Sequence, residues 1–420
     1  MECKRFGERR QFDAADLSYK MDAAWEQDGQ LDLWMLAASR LVPTQLHRQL
    51  SRHGDRLGVF VEFLDHDPQG LGPLPVLCAR YPEITLPALP VETASQIESL
   101  LEEIRRAPRF QAVLDEFSGV LSPSDLGYAA AHAALSKRFA VAVADPTASL
   151  EEFGQRLLPR APGAHDLPRD AVDTALDGWW RCWPAGGRIL VLHGEEGTGK
   201  SWNLASWLAR RILRRDSAPM LVWCGSDHFE DSSLLELGAR LLERRLPPAA
   251  PRAQLERRLS RWGAATEPPG AAPRVLFVVD GLNERPQGAA WQRWLMAARR
   301  ELAERLGGAA LVVTCRTSTW VGLRMAIRGD ADAAARLATA GAAARPEARR
   351  QVVEVQVEDF TDPELDQMFA ICGLARPALD PALRQLLRRP RYFQLAVLHW
   401  ARYASSGDFT VPRLFFEEWR

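Results

Sequence analysis

Residues 188–201 read Arg-Ile-Leu-Val-Leu-His-Gly-Glu-Glu-Gly-Thr-Gly-Lys-Ser, an apolar run followed by a glycine-spaced loop. Four positions fit the pattern G-x-x-x-x-G-K-[ST] without a mismatch: Gly194, Gly199, Lys200 and Ser201. Gly197 adds a further glycine. Ile189 to Leu192 predict a buried parallel strand, and the apolar spacing from Trp202 to Leu213 predicts a helix. The stretch therefore predicts a strand, a phosphate-binding loop and a helix in that order.

The residue types in this loop suit a phosphate chain. Glycines let backbone N–H groups turn inward around the phosphates, and the following helix adds its N-terminal dipole. Lys200 can reach the β- and γ-phosphates, and the Ser201 hydroxyl can bind Mg²⁺. The residues predicted to contact the nucleotide here are Gly194, Glu195, Glu196, Gly197, Thr198, Gly199, Lys200, Ser201 and Trp202. We expect a nucleoside triphosphate with Mg²⁺, and the absence of a guanine-specific Asn-Lys-x-Asp stretch favours ATP.

A second motif reads Arg-Val-Leu-Phe-Val-Val-Asp-Gly-Leu-Asn-Glu over residues 274–284, five apolar residues that end in an acid. This pattern predicts a Walker B strand, whose carboxyl end is where a parallel sheet presents ligands. Asp280 is predicted to hold Mg²⁺ together with Ser201. Glu284 is predicted to polarise the attacking water as general base.

Two other apolar runs predict further strands of the same sheet, Met220 to Cys224 and Ala309 to Arg316. Arg316, at the end of the second run, would sense the γ-phosphate and counter charge in the transition state. The alternative is a surface arginine in an arginine-rich chain. With Lys200 and Glu284, Arg316 completes the predicted catalytic set.

Composition restricts the function classes. The chain has 420 residues and a formal net charge of −1, so it carries no global basic footprint for nucleic acid. Six cysteines are scattered without a C-x-x-C pair, which predicts reduced thiols of a cytoplasmic protein. No stretch approaches the roughly 18 uncharged apolar residues of a membrane span, so we expect no membrane contact.

The order of these motifs resembles that of the STAND class of signal-transducing P-loop NTPases, close to NACHT-type and bacterial antiviral members. The matching stretches are Gly194 to Ser201, Val279 to Glu284 and Val313 to Arg316. Val352 to Thr361 looks like the last strand of the family's sheet, with Thr361 capping the next helix. Leu387 to Phe393 resembles the family's later Pro motif, which implies that Pro390 packs against adenine.

This resemblance implies an ATP-binding, slowly hydrolysing switch of bacterial antiphage defence. In the family, ATP binding converts a closed monomer to an oligomer once a trigger is recognised, here implied to be a phage-derived protein. The homo-oligomer then brings N-terminal effector domains together. DNA would be the effector substrate if an intact nuclease precedes Glu2.

The first 90 residues alternate predicted strands and helices, with a first helix entered at Asp13, which favours a mainly parallel α/β domain. The chain begins Met-Glu-Cys-Lys, and Glu2 and Lys4 match the second half of the PD-(D/E)xK nuclease motif, in which carboxylates hold Mg²⁺. The following order of elements, ending in Asp65, resembles the C-terminal half of a restriction-endonuclease-like domain. The upstream Asp strand of that motif is absent, so we expect a nuclease remnant that is inactive as it stands. A start codon placed too late, or a degenerate domain, would account for this.

The whole sequence predicts an α/β fold in which a P-loop NTPase parallel sheet is flanked by helices. The predicted divisions are a partial restriction-endonuclease-like domain (1–90), a helical linker (91–150), a STAND/NACHT-like core (151–355) and the start of a helical domain (356–420). An Ala-rich stretch at 331–345 predicts a helical surface insertion. Two rival classes stay open: an AAA-type or helicase-like ATP-driven machine, and a non-catalytic nucleotide-binding scaffold.

Overall fold

A computed structural model of the chain describes residues 2–4, 12–27, 31–38, 41–65, 71–88, 91–121, 126–153, 169–184, 187–213, 218–225, 232–246, 251–265, 272–282, 284, 288–324, 352–374, 381–400, 410, 412–413 and 416. The chain falls into two compact units. The first comprises Met1–Ala130 and Leu242–Arg261, and the second comprises Ala131–Leu241 and Trp262–Arg420. The division into two units is coarser than the four-part division expected from the sequence, which stays a prediction.

The first unit is built on a three-stranded parallel sheet in the order β1-β2-β3. Its strands are β1 (Glu2–Lys4), β2 (Leu33–Ala38) and β3 (Phe60–Leu64). Parallel neighbours need a crossover, and α1 (Ala14–Gln27) and α2 (Thr44–Leu57) supply the two crossovers. The Asp13 carboxylate accepts hydrogen bonds from the N–H groups of residues 15 and 16, at 2.9 and 3.3 Å. This confirms the predicted helix entry at Asp13.

The sheet of the first unit is followed by helices α3 (Pro73–Arg80), α4 (Pro82–Thr85), α5 (Val91–Arg106) and α6 (Phe110–Leu121). Helix α3 packs against α5 and α6. Buried Val76, Val113 and Leu114 form the small core between them.

The segment Leu242–Arg261 also belongs to the first unit, although its place in the sequence is between two strands of the second unit. It includes the end of α11 (Leu234–Arg245) and most of α12 (Arg252–Ala264). Arg258, on α12, pairs with Asp32 at 3.1 Å, donates to the Gly58 carbonyl and lies over the Phe60 ring. Arg261 contacts the other carboxylate oxygen of Asp32 at 2.6 Å. A buried ion-pair cluster therefore joins α12 to the N-terminal sheet.

The second unit contains a five-stranded, all-parallel sheet in the order β5-β6-β7-β4-β8. Its strands are β4 (Ile189–Gly194), β5 (Met220–Cys224), β6 (Val275–Val279), β7 (Ala309–Arg316) and β8 (Val352–Gln356). Every residue of β4, β5 and β6 is buried, as strands covered by helices on both faces require. The predicted parallel α/β sheet flanked by helices is confirmed.

Helices surround this sheet and extend beyond it. They are α7 (Tyr128–Ala144), α8 (Pro146–Phe153), α9 (Asp170–Cys182), α10 (Lys200–Trp207), α13 (Gly288–Glu304), α14 (317–324), α15 (Asp362–Ile371), α16 (Pro381–Leu387) and α17 (Pro390–Leu398). The helix predicted from Trp202 to Leu213 begins at Lys200 and changes at Leu208 to a π-helical turn that ends at Ile212. There the Leu213 N–H bonds to the Leu208 carbonyl, five residues back.

Thr361 starts α15 with a reciprocal capping box. Its hydroxyl accepts from the Glu364 N–H at 3.3 Å, and the Glu364 carboxylate accepts from the Thr361 N–H at 2.7 Å. This confirms the predicted cap. The predicted insertion at 331–345 lies outside the described residues. None of the described helices combines the length and apolar character needed to cross a membrane.

Candidate nucleotide site

The loop between β4 and α10 has the backbone conformation that its glycines permit. Gly197 and Gly199 adopt φ values of 80° and 83°, a left-handed conformation that costs other residues energy. A Cβ on Gly194 would collide with the Val357 carbonyl just after β8. The loop therefore wraps tightly around the end of its strand, and α10 begins directly after it at Lys200, so a helix N-terminus lies next to the loop.

Hydrogen bonds within the loop hold this shape. The Thr198 hydroxyl donates to the Glu195 carbonyl at 3.0 Å. The Asn203 side-chain amide, buried in the first turns of α10, donates to the Gly199 carbonyl at 2.8 Å. Asn203 was not predicted as a site residue, since an Asn inside a helix has no sequence signal that distinguishes it from a surface residue.

Lys200 lies with its ammonium group against the loop. Nζ donates to the carbonyls of Gly194 and Glu195, at 3.1 and 2.8 Å. Burial lowers the pKa of Lys200, while Asp280 acts in the opposite direction. The neighbouring Cys315 thiol is buried, which raises its pKa to about 12 and keeps it neutral. A partly desolvated cation at this position attracts phosphate strongly, because water screens it less.

Ser201 and Asp280, the two predicted magnesium ligands, lie side by side. The Ser201 Oγ donates to Asp280 Oδ1 at 2.7 Å. The same carboxylate oxygen accepts from the hydroxyl of Thr314, on the neighbouring strand β7. The Asp280 backbone N–H bonds to the Cys224 carbonyl at 2.8 Å, which fixes the residue at the end of β6. A hydroxyl and a carboxylate are hard oxygen donors, and this set fits Mg²⁺ with additional water ligands.

The turn after Asp280 requires a glycine at residue 281 for its conformation and for the position of Glu284. Gly281 has a φ of 70°, and its N–H bonds to the Thr314 hydroxyl at 2.8 Å. Leu282 is buried, with its N–H on the Thr314 carbonyl at 3.0 Å. Glu284 is exposed and its carboxylate folds over Gly281, where a side chain would displace it. The position of Glu284 thus depends on the glycine.

Arg316 ends β7 and pairs with the loop itself. Its guanidinium lies 2.7 Å from one carboxylate oxygen of Glu196, and the other oxygen lies 2.9 Å from Arg391. The role of Arg391 was not predicted. Arg391 directly follows Pro390, which is the only residue of the motif Leu387 to Phe393 with a predicted role.

Pro390 and Trp202 both lie beside the loop. Pro390 is the first residue of α17, and its side chain would contact a Cβ at Gly199 at 3.4 Å. Trp202 is partly buried and packs against the core beneath the sheet and against the core of α15–α17. Their predicted contacts with the nucleotide stay predictions.

The predicted site residues of the second unit therefore converge on one edge of the sheet. Ser201 contacts Asp280, and Arg316 contacts Glu196. Lys200 bonds to the loop backbone at Gly194, which lies opposite Arg316 in the sheet. Glu284 lies on the adjoining turn.

Glu2 and Lys4, the predicted nuclease remnant, lie on β1 in the first unit. The backbone register sets Lys4 opposite Ala38 at the end of β2, and the side chains of β1 are outside the described set. Asp65, which follows β3, is buried and accepts a hydrogen bond from the Val42 N–H at 2.9 Å. The nuclease hypothesis stays a prediction.

Comparison with known proteins gave no match to a protein-family model and none to a curated protein. Among solved structures, a Walker-type ATPase of Pyrococcus abyssi is 15% identical, over 58% of this chain and 69% of that chain, with a TM-score of 0.34. The ORC2 protein of Aeropyrum pernix, solved with ADPNP and ADP, is 13% identical over 57% and 58%, with a TM-score of 0.30. NtrX of Brucella abortus, solved with ATP, is 12% identical over 93% and 67%, with a TM-score of 0.26. The chain's own geometry, a parallel sheet with a glycine loop and an acid on the next-but-one strand, is that of a P-loop NTPase fold.

Proposed function

We propose that this chain binds ATP with Mg²⁺ at the loop of residues 194–201 and hydrolyses it slowly, as a switch. The observation that carries the proposal is the 2.7 Å contact between Ser201 Oγ and Asp280 Oδ1 beside the Lys200 ammonium. This arrangement supplies a phosphate cradle, a cation for the β- and γ-phosphates and two oxygen ligands for the metal. Bound Mg²⁺ would neutralise charge on the phosphates.

Glu284 is the proposed general base. Its carboxylate is exposed, on a turn that begins at the metal-binding Asp280, and it would orient and deprotonate the attacking water. Arg316 would stabilise charge on the transferred phosphoryl group.

We further propose the STAND type of switch, of bacterial antiphage defence. The support is the turn that follows Asp280, where Gly281 takes a left-handed conformation and Leu282 is buried, with its N–H on the Thr314 carbonyl of β7. The turn therefore favours glycine at residue 281 and an apolar residue at 282. Further support is α17, whose Pro390 lies beside Gly199 of the loop; on this proposal Pro390 packs against adenine. On this proposal ATP drives homo-oligomer formation after a phage-derived trigger binds, and DNA would be the substrate of an intact N-terminal nuclease effector.

Nucleotide binding is tested first with Lys200→Ala, which should abolish binding of a fluorescent ATP analogue. Lys137→Ala is the matched control, because Lys137 is an exposed lysine on α7, outside the loop. Unchanged affinity in Lys200→Ala would refute the assignment of the loop.

Hydrolysis is tested with Glu284→Gln, which should keep ATP affinity and lower the hydrolysis rate by roughly 100-fold or more. A switch should turn over well below about 1 per second without its trigger. Faster steady-state turnover would instead favour an AAA-type machine, which can use the same loop and acid. Retained turnover in Glu284→Gln would remove Glu284 from the mechanism.

A further inference from the structure

One carboxylate in the phosphate-binding loop holds two arginines that come from distant parts of the second unit. Glu196 contributes one oxygen to Arg316, at the end of β7, and the other to Arg391, at the start of α17. The three side chains are about half exposed, at 55%, 46% and 48%. We call this set the Glu196 bridge.

The backbone of Arg391 is attached to the same loop. Its N–H donates to the Gly197 carbonyl at 3.1 Å, and its Cβ would lie 3.0 Å from a Cβ on Gly197. Only a glycine at residue 197 lets α17 approach this closely. The Arg391 side chain can therefore exchange partners while its backbone keeps its place beside the loop.

We propose that Arg391 is a second terminal-phosphate-binding residue, together with Arg316, and that Glu196 and the γ-phosphate compete for both. The inference rests on the proposed function, because it requires that the loop binds ATP. Before ATP binds, the Glu196 carboxylate occupies both guanidinium groups. When ATP binds, its terminal phosphoryl oxygens replace the carboxylate oxygens.

The energetics favour this exchange. Exposed ion pairs contribute little, because water screens them and two long side chains lose freedom. A γ-phosphate carries more charge than a carboxylate, and arginine binds phosphate with two parallel N–H donors. The Glu196 bridge already brings both arginines to one anionic group of similar size. ADP lacks the terminal phosphoryl group and should leave the bridge closed.

The change of partner at Arg391 would also couple the bound nucleotide to the position of helices α15–α17, which follow β8. Arg391 lies in the first turn of α17, whose residues Phe393 and Ala396 belong to the core formed with α15 and α16. A change of partner at Arg391 acts directly on the first turn of that helix. The bridge thus links the terminal phosphate to α15–α17 through one side chain.

The first test compares Glu196→Gln with Glu195→Gln. Both remove one negative charge from the loop, but no ion pair of the Glu195 carboxylate occurs among the described residues. We would measure the dissociation constants of a non-hydrolysable ATP analogue and of ADP, with Mg²⁺, by calorimetry. Glu196→Gln should raise affinity for the ATP analogue about three- to tenfold and leave ADP affinity within about twofold. Glu195→Gln should change both affinities alike.

The second test removes the proposed phosphate ligand. Arg391→Gln should weaken the ATP analogue but not ADP, and Glu196→Gln should add a smaller ATP-specific gain in that background than in the unmodified chain. Equal shifts for the two nucleotides, or equal effects of Glu195→Gln and Glu196→Gln, would overturn the competition. If nucleotide binding depends on Lys200 but Glu196→Gln brings no ATP-specific gain in affinity, the proposed competition is wrong and the proposed function stands. Absence of Lys200-dependent binding would overturn the proposed function as well.

Discussion

Replacing Asp32 with asparagine should strongly destabilise the first unit. Asp32 is 9% exposed and Arg258 is 6% exposed, and their ion pair is 3.1 Å long. Removing one partner of a buried pair leaves an uncompensated charge, which costs about 3–5 kcal/mol. The substituted amide can still accept one hydrogen bond and Arg258 keeps the Gly58 carbonyl, so we expect a loss near the lower end, about 3 kcal/mol.

The assay is thermal denaturation, combined with hydrogen exchange to localise the change. For a unit of this size, about 3 kcal/mol corresponds to a fall in melting temperature of roughly 6–12 °C. Amide protection should fall in β2, β3 and α12. The control is Glu243→Gln, which breaks an exposed pair with Arg252 in the same unit and should cost under about 1 kcal/mol. If Asp32→Asn melts like the control, the buried pair is not what holds α12 to the sheet.

Three further outcomes are expected. Gly194→Ala should disrupt the loop and abolish ATP binding, because its Cβ would meet a backbone carbonyl, whereas Gly178→Ala, in the open on α9, should be neutral or stabilising by about 0.5–1 kcal/mol; equal behaviour in binding and melting experiments would refute the clash. Thr314→Val removes the hydroxyl between Asp280 and the next turn, so stability should fall by about 1–3 kcal/mol and Mg²⁺-dependent hydrolysis should weaken; wild-type values would show that the hydroxyl is dispensable. Burial lowers the pKa of His193 below its ordinary 6.5, so the unfolded chain takes up this proton first, and stability should fall as pH drops through 6.5; a melting series in which His193→Gln keeps the full pH dependence would exclude this histidine as the cause.

Local sequence patterns predicted the first and last residues of several elements correctly. The strands Met220–Cys224 and Ala309–Arg316 have the bounds expected from their apolar runs, because nearly every residue of both is buried and the apolar run is continuous up to Val313 in the second. Thr361 was found in the same way, because a capping box is complete within four residues. The loop with Lys200 and Ser201 was also readable, since its chemistry requires those residue types at that spacing.

Contacts between residues far apart in sequence could not be predicted from the sequence. The attraction between Glu196 and Arg391 joins residues far apart in sequence, and each is one of many charged residues in the chain. The inclusion of α12 in the first unit depends on Arg258 meeting Asp32, a pair for which no local periodicity exists. The π-helical turn after Trp207 is likewise invisible in the apolar spacing, because a single turn contains too few residues for its wider spacing to show in the sequence.

The membership of Leu242–Arg261 in the first unit has an evolutionary consequence. The chain crosses from one unit to the other at three places, near residues 130, 241 and 261. A recombination event that cut at the first crossing would exchange residues 1–130 but leave behind the helix that supplies Arg258. Replacement of the N-terminal unit by a different one would therefore leave this buried arginine without its carboxylate. We expect the two units to be inherited together, with substitutions at Asp32 and Arg258 occurring in concert.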